Sequence, residues 1–232
     1  MRTLVDRGDA APRDLEDAWA RAETFAYLPQ RSGAQEAWAA AALAKIPAPL
    51  STGHFALLSS GSTGEPKLVV GSRRRAEQLA RVLHEAQASE PVRRTVALLP
   101  LTYSYAFVNQ WLWARTLARD FTPTSGFSRP DALAAALELP GDAMVCLVAA
   151  HVSLLEQHFA DRVFERVIRV HFAGSRFPQE RLAGVRRIFR NAEIFNNFGC
   201  IEAMPRLAIR RADDGASGSD IGHPRPGVEL RS

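Results

Sequence analysis

Nine consecutive residues, Ser59-Ser60-Gly61-Ser62-Thr63-Gly64-Glu65-Pro66-Lys67, have the composition of a phosphate cradle. The glycines remove side-chain bulk so that backbone N–H groups can close on an oxyanion. The hydroxyls of Ser60, Ser62 and Thr63 add donors, and Lys67 adds a positive charge. Better-known loops fail on spacing. Counted from Gly61, a Walker loop needs glycine where Pro66 stands and a hydroxyl residue where Leu68 stands. There is no G-x-G-x-x-G dinucleotide pattern and no G-x-S-x-G elbow, and His84-Glu85 lacks the second histidine of a zinc motif.

Other stretches carry side chains of the kinds that hold a nucleotide. Asn196-Asn197-Phe198-Gly199-Cys200-Ile201-Glu202 gathers amides, an aromatic ring and a carboxylate, and His171-Phe172-Ala173-Gly174-Ser175-Arg176-Phe177-Pro178 runs from an apolar strand into a turn bearing a cation. The nine-residue loop resembles the signature T/S-S-G-S-T-G-x-P-K of the adenylate-forming superfamily, which includes acyl-coenzyme A synthetases, peptide-synthetase adenylation domains and luciferases. Every defined position is met. The stretch from Asn196 to Glu202 is similar to that family's N-x-Y-G-x-T-E. Two matches in the right order make the resemblance specific.

The resemblance implies ATP-dependent activation of a small carboxylic acid as an acyl-adenylate, with ATP and Mg²⁺ as cofactors. Coenzyme A or the phosphopantetheine of an acyl carrier protein would accept the acyl group. It places Ser59, Ser60, Gly61, Ser62, Thr63 and Gly64 around the phosphates, and Lys67 beside the leaving pyrophosphate. Asn196, Phe198 and Gly199 fall at the adenine, with Phe198 in place of the usual tyrosine. Gly174, Ser175 and Arg176 become nucleotide neighbours, and Glu202 the Mg²⁺ ligand. Lys67 and Glu202 are the expected catalytic residues. Leu99-Pro100-Leu101-Thr102-Tyr103-Ser104-Tyr105 resembles an L-P-x-x-H-s-y stretch, which puts Tyr103, Tyr105 and Phe107 at the acid pocket. Tyr103, Phe107 and Trp111 also recur at helical spacing and suit a core equally well. Ile221-Gly222-His223-Pro224-Arg225-Pro226-Gly227 looks like an I-G-x-P-x-x-G segment that follows the site.

Three positions depart from the family pattern: Ile201 stands for a threonine, Ser175 for a glycine and Tyr103 for a histidine. Isoleucine can make no hydrogen bond to a phosphate. These departures keep open a second reading, a non-catalytic nucleotide- or acyl-binding module that acts with a partner.

Such a loop needs a sheet to hold it. From Phe55 onward, short apolar runs alternate with amphipathic stretches, the pattern of an α/β fold with a mainly parallel sheet and crossover helices. Strands are expected at 55–59, 68–71, 95–99, 144–149, 167–173, 193–196 and 207–210, and helices at 74–88, 104–119, 130–137, 152–161 and 178–190. Residues 14 to 46 have helical spacing and are alanine-rich, so 1–54 reads as a helical lead-in. Residues 55–232 then form an AMP-binding core, a subdomain of the family's N-terminal domain. The family's T-G-D segment and small C-terminal catalytic domain, itself an expected partner, find no match.

Apolar runs such as Ala37 to Ala44 and Ala143 to Ala150 fall far short of the ~20 residues a membrane-spanning helix needs. The N-terminus lacks the apolar run of a secretory signal, so no membrane association and a cytoplasmic location are expected. Cys146 and Cys200 form no cluster and read as two reduced, buried thiols. The net charge of +4 comes from arginine clusters such as Arg73-Arg74-Arg75, Arg93-Arg94, Arg186-Arg187 and Arg210-Arg211. These are expected to be solvated faces. A nucleic-acid groove would need a basic stripe with interleaved aromatics, so no nucleic-acid partner is expected.

Overall fold

Runs such as Phe25–Leu28 and Ala143–Leu147 are buried at every position. A strand apolar on both faces requires cover on both, which is the layered arrangement of helices over parallel sheets. The computed structural model describes residues 1–8, 11–30, 33–59, 66–203, 207–214, 220–225 and 229. The first part of the chain runs through β1 (Arg2–Val5), α1 (Ala11–Ala20), β2 (Phe25–Leu28), α2 (Gly33–Leu43), β3 (His54–Ser59) and β4 (Lys67–Ser72). Its strands form a sheet in the order β1-β2-β3-β4, parallel up to β3 and closed by the antiparallel β3–β4 pair.

After α3 (Arg73–Ala86) and β5 (Arg94–Ala97), a helix begins as α4 (Ser104–Ala106), passes through a π-helical stretch, Phe107–Leu112, and ends as α5 (Trp113–Thr116). Then come β6 (Asp120–Pro123), α6 (Pro130–Glu138), β7 (Ala143–Leu147), α7 (His151–Phe159), β8 (Val167–Phe172), α8 (Leu182–Ile188), β9 (Glu193–Phe198), β10 (Ala208–Arg211) and β11 (His223–Pro224). The second sheet has the order β11-β10-β9-β8-β7-β5-β6. It is parallel from β9 to β6, with β10 and β11 antiparallel at one edge.

The α4–α5 helix joins the two sheets. Phe107 and Trp111 pack into an aromatic cluster with Trp19 and Phe55, at ring separations of 5.0 Å for Phe107–Trp111, 5.1 Å for Phe55–Phe107 and 5.3 Å for Trp19–Phe55. Tyr105 and Trp113 instead join Met144, Cys146 and Ala173 of the second sheet. Aromatic burial of this kind stabilises by area and by ring geometry together.

The fold class agrees with the sequence expectation, and the seven expected strands and five helices all form. Three features differ. The stretch read as a helical lead-in contains β1 and β2, because α1 and α2 are separate helices flanking the four-residue run Phe25–Leu28. β6 and β11 are added strands, one at each edge of the second sheet. Cys146 is buried as expected, but Cys200 is exposed in the turn after β9.

The arginine clusters also differ from solvated faces, because Arg73, Arg94 and Arg210 are buried. Arg94 donates to the carbonyls of Ala136 (2.7 Å), Leu137 (3.0 Å), Leu139 (2.8 Å) and Gly141 (2.9 Å), which fastens the C-terminal end of α6 to β5. The planar fork of a guanidinium can serve several carbonyls at once, whereas an ammonium cannot match that geometry.

Arg119 is a fourth buried arginine. It donates to the Ser89 carbonyl at 3.0 Å, lies over the Trp113 ring and sits 2.6 Å from Nδ1 of His84. Burial, and then the neighbouring Arg119, hold the His84 pKa below its ordinary value of 6.5; burial alone lowers that of His151. A histidine kept neutral in the folded chain but free to protonate when unfolded makes acid favour unfolding. Stability is therefore expected to be complete above pH 6.5 and to decline as pH falls below it, levelling off beneath the lowered folded values. Melting temperatures measured between pH 7.5 and 5.0 should fall less for His84→Gln than for the parent chain; equal declines would remove His84 from the account.

Candidate functional site

In an open parallel sheet, ligands bind beyond the C-terminal ends of the strands, where loops leave the sheet. β8 and β9 are adjacent and parallel, with Phe172 opposite Asn196. The loops carrying Gly174, Ser175 and Arg176 and carrying Gly199 and Glu202 therefore leave the sheet side by side. Gly174 has φ +85°, a conformation that L side chains rarely adopt, so the turn out of β8 calls for glycine. Ser175 and Arg176 are exposed, and Arg176 also lines an open cavity of about 600 Å³ with Ala149, Ala150 and Arg181.

Phe198, the last residue of β9, is 44% exposed, and Tyr103, at the start of the α4–α5 helix beyond β5, is 62% exposed. Two large rings held open to solvent at the C-terminal edge of the sheet contrast with an interior that encloses most other aromatics. The edge is fixed from beneath by amides. Asn197 donates to the Phe172 carbonyl at 3.0 Å and accepts from Gln87 at 3.4 Å, locking β9 to β8. Asn196, on the opposite face of β9 and 5% exposed, donates to the Asp220 carbonyl at 3.3 Å. That bond draws the segment Asp220-Ile221-Gly222 to the site. Gly222 has φ +81°, and a Cβ there would meet the Ile209 carbonyl oxygen at 2.4 Å, so this close approach needs glycine. Sequence reading did not single out Asn197 or Gln87. The only signal was the doubled asparagine, which in a strand sends one amide to each face.

The second half of the site comes from the first sheet. β3 and β4 pair in register up to Ser59 opposite Lys67. Both residues therefore stand at the mouth of the hairpin, with Lys67 exposed and Ser59 half-buried. Residues Ser60, Gly61, Ser62, Thr63 and Gly64 lie outside the described residues. β4 packs against the short 3₁₀ turn Ile201–Ala203, which brings the strand that begins at Lys67 to the turn that carries Glu202. Ile201 packs onto the aromatic core of the first sheet, so a hydrocarbon here ties the two halves together. Glu202 is exposed.

Tyr105 is 8% exposed, and its hydroxyl donates to the His171 carbonyl at 3.0 Å. Phe107 is fully enclosed by Trp19, Tyr27, Phe55 and Trp111, facing the first sheet. Thus Tyr103 stands at the open edge, Tyr105 just beneath it and Phe107 in the core.

Among the described residues no group of three or more His, Cys, Asp or Glu side chains is placed to hold a metal ion by itself. A lone exposed carboxylate is nonetheless a suitable donor for Mg²⁺, which is commonly held by one or two carboxylates together with the phosphates of a bound nucleotide. Glu202 fits that role. Among the described residues no helix is long and apolar enough to cross a membrane.

The described residues place Lys67, Phe198 and Glu202 along one end of two packed sheets in an α/β fold. The chain belongs to the AMP-binding enzyme family, whose sequence profile matches residues 5–231. Solved structures share the fold. VinN in complex with L-aspartate superposes with a TM-score of 0.64 at 16% identity, over 97% of this chain and 57% of VinN. The O-succinylbenzoate coenzyme A synthetase MenE from Bacillus subtilis, in complex with ATP and magnesium ion, gives 0.63 at 18% identity, over 74% of this chain and 35% of MenE. The AMPPNP-bound form of the nonribosomal peptide synthetase FmoA3 gives 0.78 at 15% identity, over 96% of this chain and 28% of FmoA3. The chain thus spans little more than half of VinN and about a third or less of the other two. No curated protein sequence matched.

Proposed function

We propose that this chain holds ATP and Mg²⁺ and contributes the nucleotide half of an acid-activating site, in which a small carboxylate attacks the α-phosphate to give an acyl-adenylate. One observation carries the reading: the strand beginning at Lys67 and the turn bearing Glu202 are packed together at the edge where Phe198 and Gly174–Arg176 emerge. In this reading Lys67 and the hairpin N–H groups hold the outer phosphates, and Phe198 offers an open ring face to the base. Base–aromatic stacking of that kind contributes about 1 to 3 kcal/mol per base. Glu202 supplies a carboxylate oxygen to the metal. Mg²⁺, when bound, would offset charge on the departing pyrophosphate, and the rest of the barrier is met by positioning two anions in line despite their repulsion. The acceptor in a following step is a thiol, either coenzyme A or a carrier-protein phosphopantetheine. The proposed location is the cytoplasm.

The test is carboxylate-dependent exchange of pyrophosphate into ATP with Mg²⁺, run across short, long and aromatic acids. Exchange that depends on the acid and on Lys67 supports the reading. A folded chain that binds ATP without exchange would instead be a binding module acting with a partner.

A further inference from the structure

The ladder between β8 and β9 ends with Phe172 opposite Asn196. Beyond that pair each strand leans on its other neighbour. The Ala173 N–H donates to the Leu147 carbonyl of β7 at 3.2 Å, and the Phe198 carbonyl accepts from the Leu207 N–H, just ahead of β10, at 2.7 Å. The chain then leaves the sheet at Gly174 on one side and Gly199 on the other, so a slot opens between the two strand ends with the exposed ring of Phe198 on one wall. Its width is set where the strands separate, and the side chain placed there is that of Asn197.

Asn197 is 3% exposed and lies on the opposite face of β9 from Phe198. Its amide has a donor end and an acceptor end, and its neighbours leave one orientation. The Phe172 carbonyl can only accept, so Nδ2 faces it at 3.0 Å; Oδ1 then faces Gln87, whose Nε2 donates at 3.4 Å. Gln87 is itself buried and therefore aims the Asn197 amide. It also caps α3, the helix that directly follows β4, and β4 begins at Lys67. The strand and helix that present Lys67 thus end against the residue at the foot of the slot. A leucine would fill the same space and suit an apolar interior better, so packing alone does not account for an amide here.

We propose that Asn197 is a positioning residue for the nucleotide base: its amide, aimed by Gln87, ties the end of β9 to the end of β8 and holds the slot between the Gly174 turn and Phe198 at the width of a planar ring. This rests on the nucleotide reading above and adds to it a residue that touches no ligand. Without the tie the two strand ends splay, and a base must first draw them together, which costs affinity. Phosphates held by the hairpin of the first sheet do not depend on it.

Calorimetric titration with AMP and with inorganic pyrophosphate separates the two halves of the site. Asn197→Leu should weaken AMP roughly tenfold, the ratio expected for one buried hydrogen bond lost, and leave pyrophosphate affinity as it was. A substitution that merely loosened the fold would weaken both. Gln87→Met should weaken AMP about threefold, and should add nothing once Asn197 is replaced, because it acts only through that amide. Gln87→Met alone decides the matter if Asn197→Leu does not fold. Unchanged AMP affinity in the folded variants, or equal losses of AMP and pyrophosphate, overturns the proposal. If the parent chain binds pyrophosphate and not AMP, the base slot and this inference fall while the hairpin half of the reading stands. If a folded parent chain binds neither, the nucleotide reading falls as well.

Discussion

Arg73→Met is expected to lower folding stability by about 3 to 5 kcal/mol, the range seen when a buried, fully bonded charged group is removed and its partners are left behind. Arg73 is 8% exposed and opens α3. Its guanidinium donates to the carbonyls of His54 (3.1 Å), Trp19 (3.0 Å), Arg21 and Glu23, and lies against the rings of Trp19 and Phe25. These carbonyls belong to the end of α1, the approach to β2 and the start of β3, so one side chain fastens α1, β2 and β3 to the helix that leads into the second sheet. Methionine keeps the apolar stem and loses every donor, and the carbonyl of buried Trp19 is left with the least access to water. Burial already pulls the Arg73 pKa below its ordinary value. The hydrogen bonds to carbonyls, with the nearby carboxylates of Glu77 and Glu23, oppose that cost of burial. Since domains of this size have about 5 to 15 kcal/mol in total, urea denaturation should show a large drop in midpoint. A change below about 1 kcal/mol would mean that the carbonyls find other partners. Arg73→Lys should fall in between.

The sequence misled about Arg73 because a run of three arginines looks alike at every position, and only the fold decides which one turns inward. The same holds for Arg94 and Arg210 beside their exposed or half-exposed neighbours. Most of the second sheet was legible because its inner strands are apolar runs separated by amphipathic stretches with a helical period, whereas the short edge strands β6 and β11 were not. β1 and β2 were not, because Phe25–Leu28 is a four-residue apolar run between alanine-rich helices, and a run so short does not distinguish helix from strand. The π-helical turn left no trace in the sequence, where 104–119 read as one helix. Of the candidate site, the residue types and their order along the chain were legible. What required three dimensions was the packing of β4 on the Ile201–Ala203 turn, since those segments are more than a hundred residues apart in sequence.

Lys67→Ala is expected to weaken ATP binding roughly 10- to 100-fold while leaving AMP binding nearly unchanged, as follows from losing one charge-assisted contact to the outer phosphates. Lys67 is exposed at the first position of β4, so its removal takes away no core packing and should leave the melting temperature close to that of the parent chain. That separates loss of ligand from loss of fold, which substitutions deeper in the hairpin would not. The two nucleotides separate the phosphate contact from the base contact, because AMP lacks the β- and γ-phosphates and depends more on Phe198. Glu202→Gln should behave differently again: ATP affinity in the absence of Mg²⁺ should hold, and the gain on adding Mg²⁺ should shrink. Calorimetric titration of ATP and AMP, each with and without Mg²⁺, reads all four combinations. If Lys67→Ala weakened ATP and AMP equally, the lysine would be acting through the shape of the hairpin and not on the outer phosphates. If it weakened neither, the hairpin would not be the phosphate site, and the proposed function would lose the half of the site supplied by the first sheet.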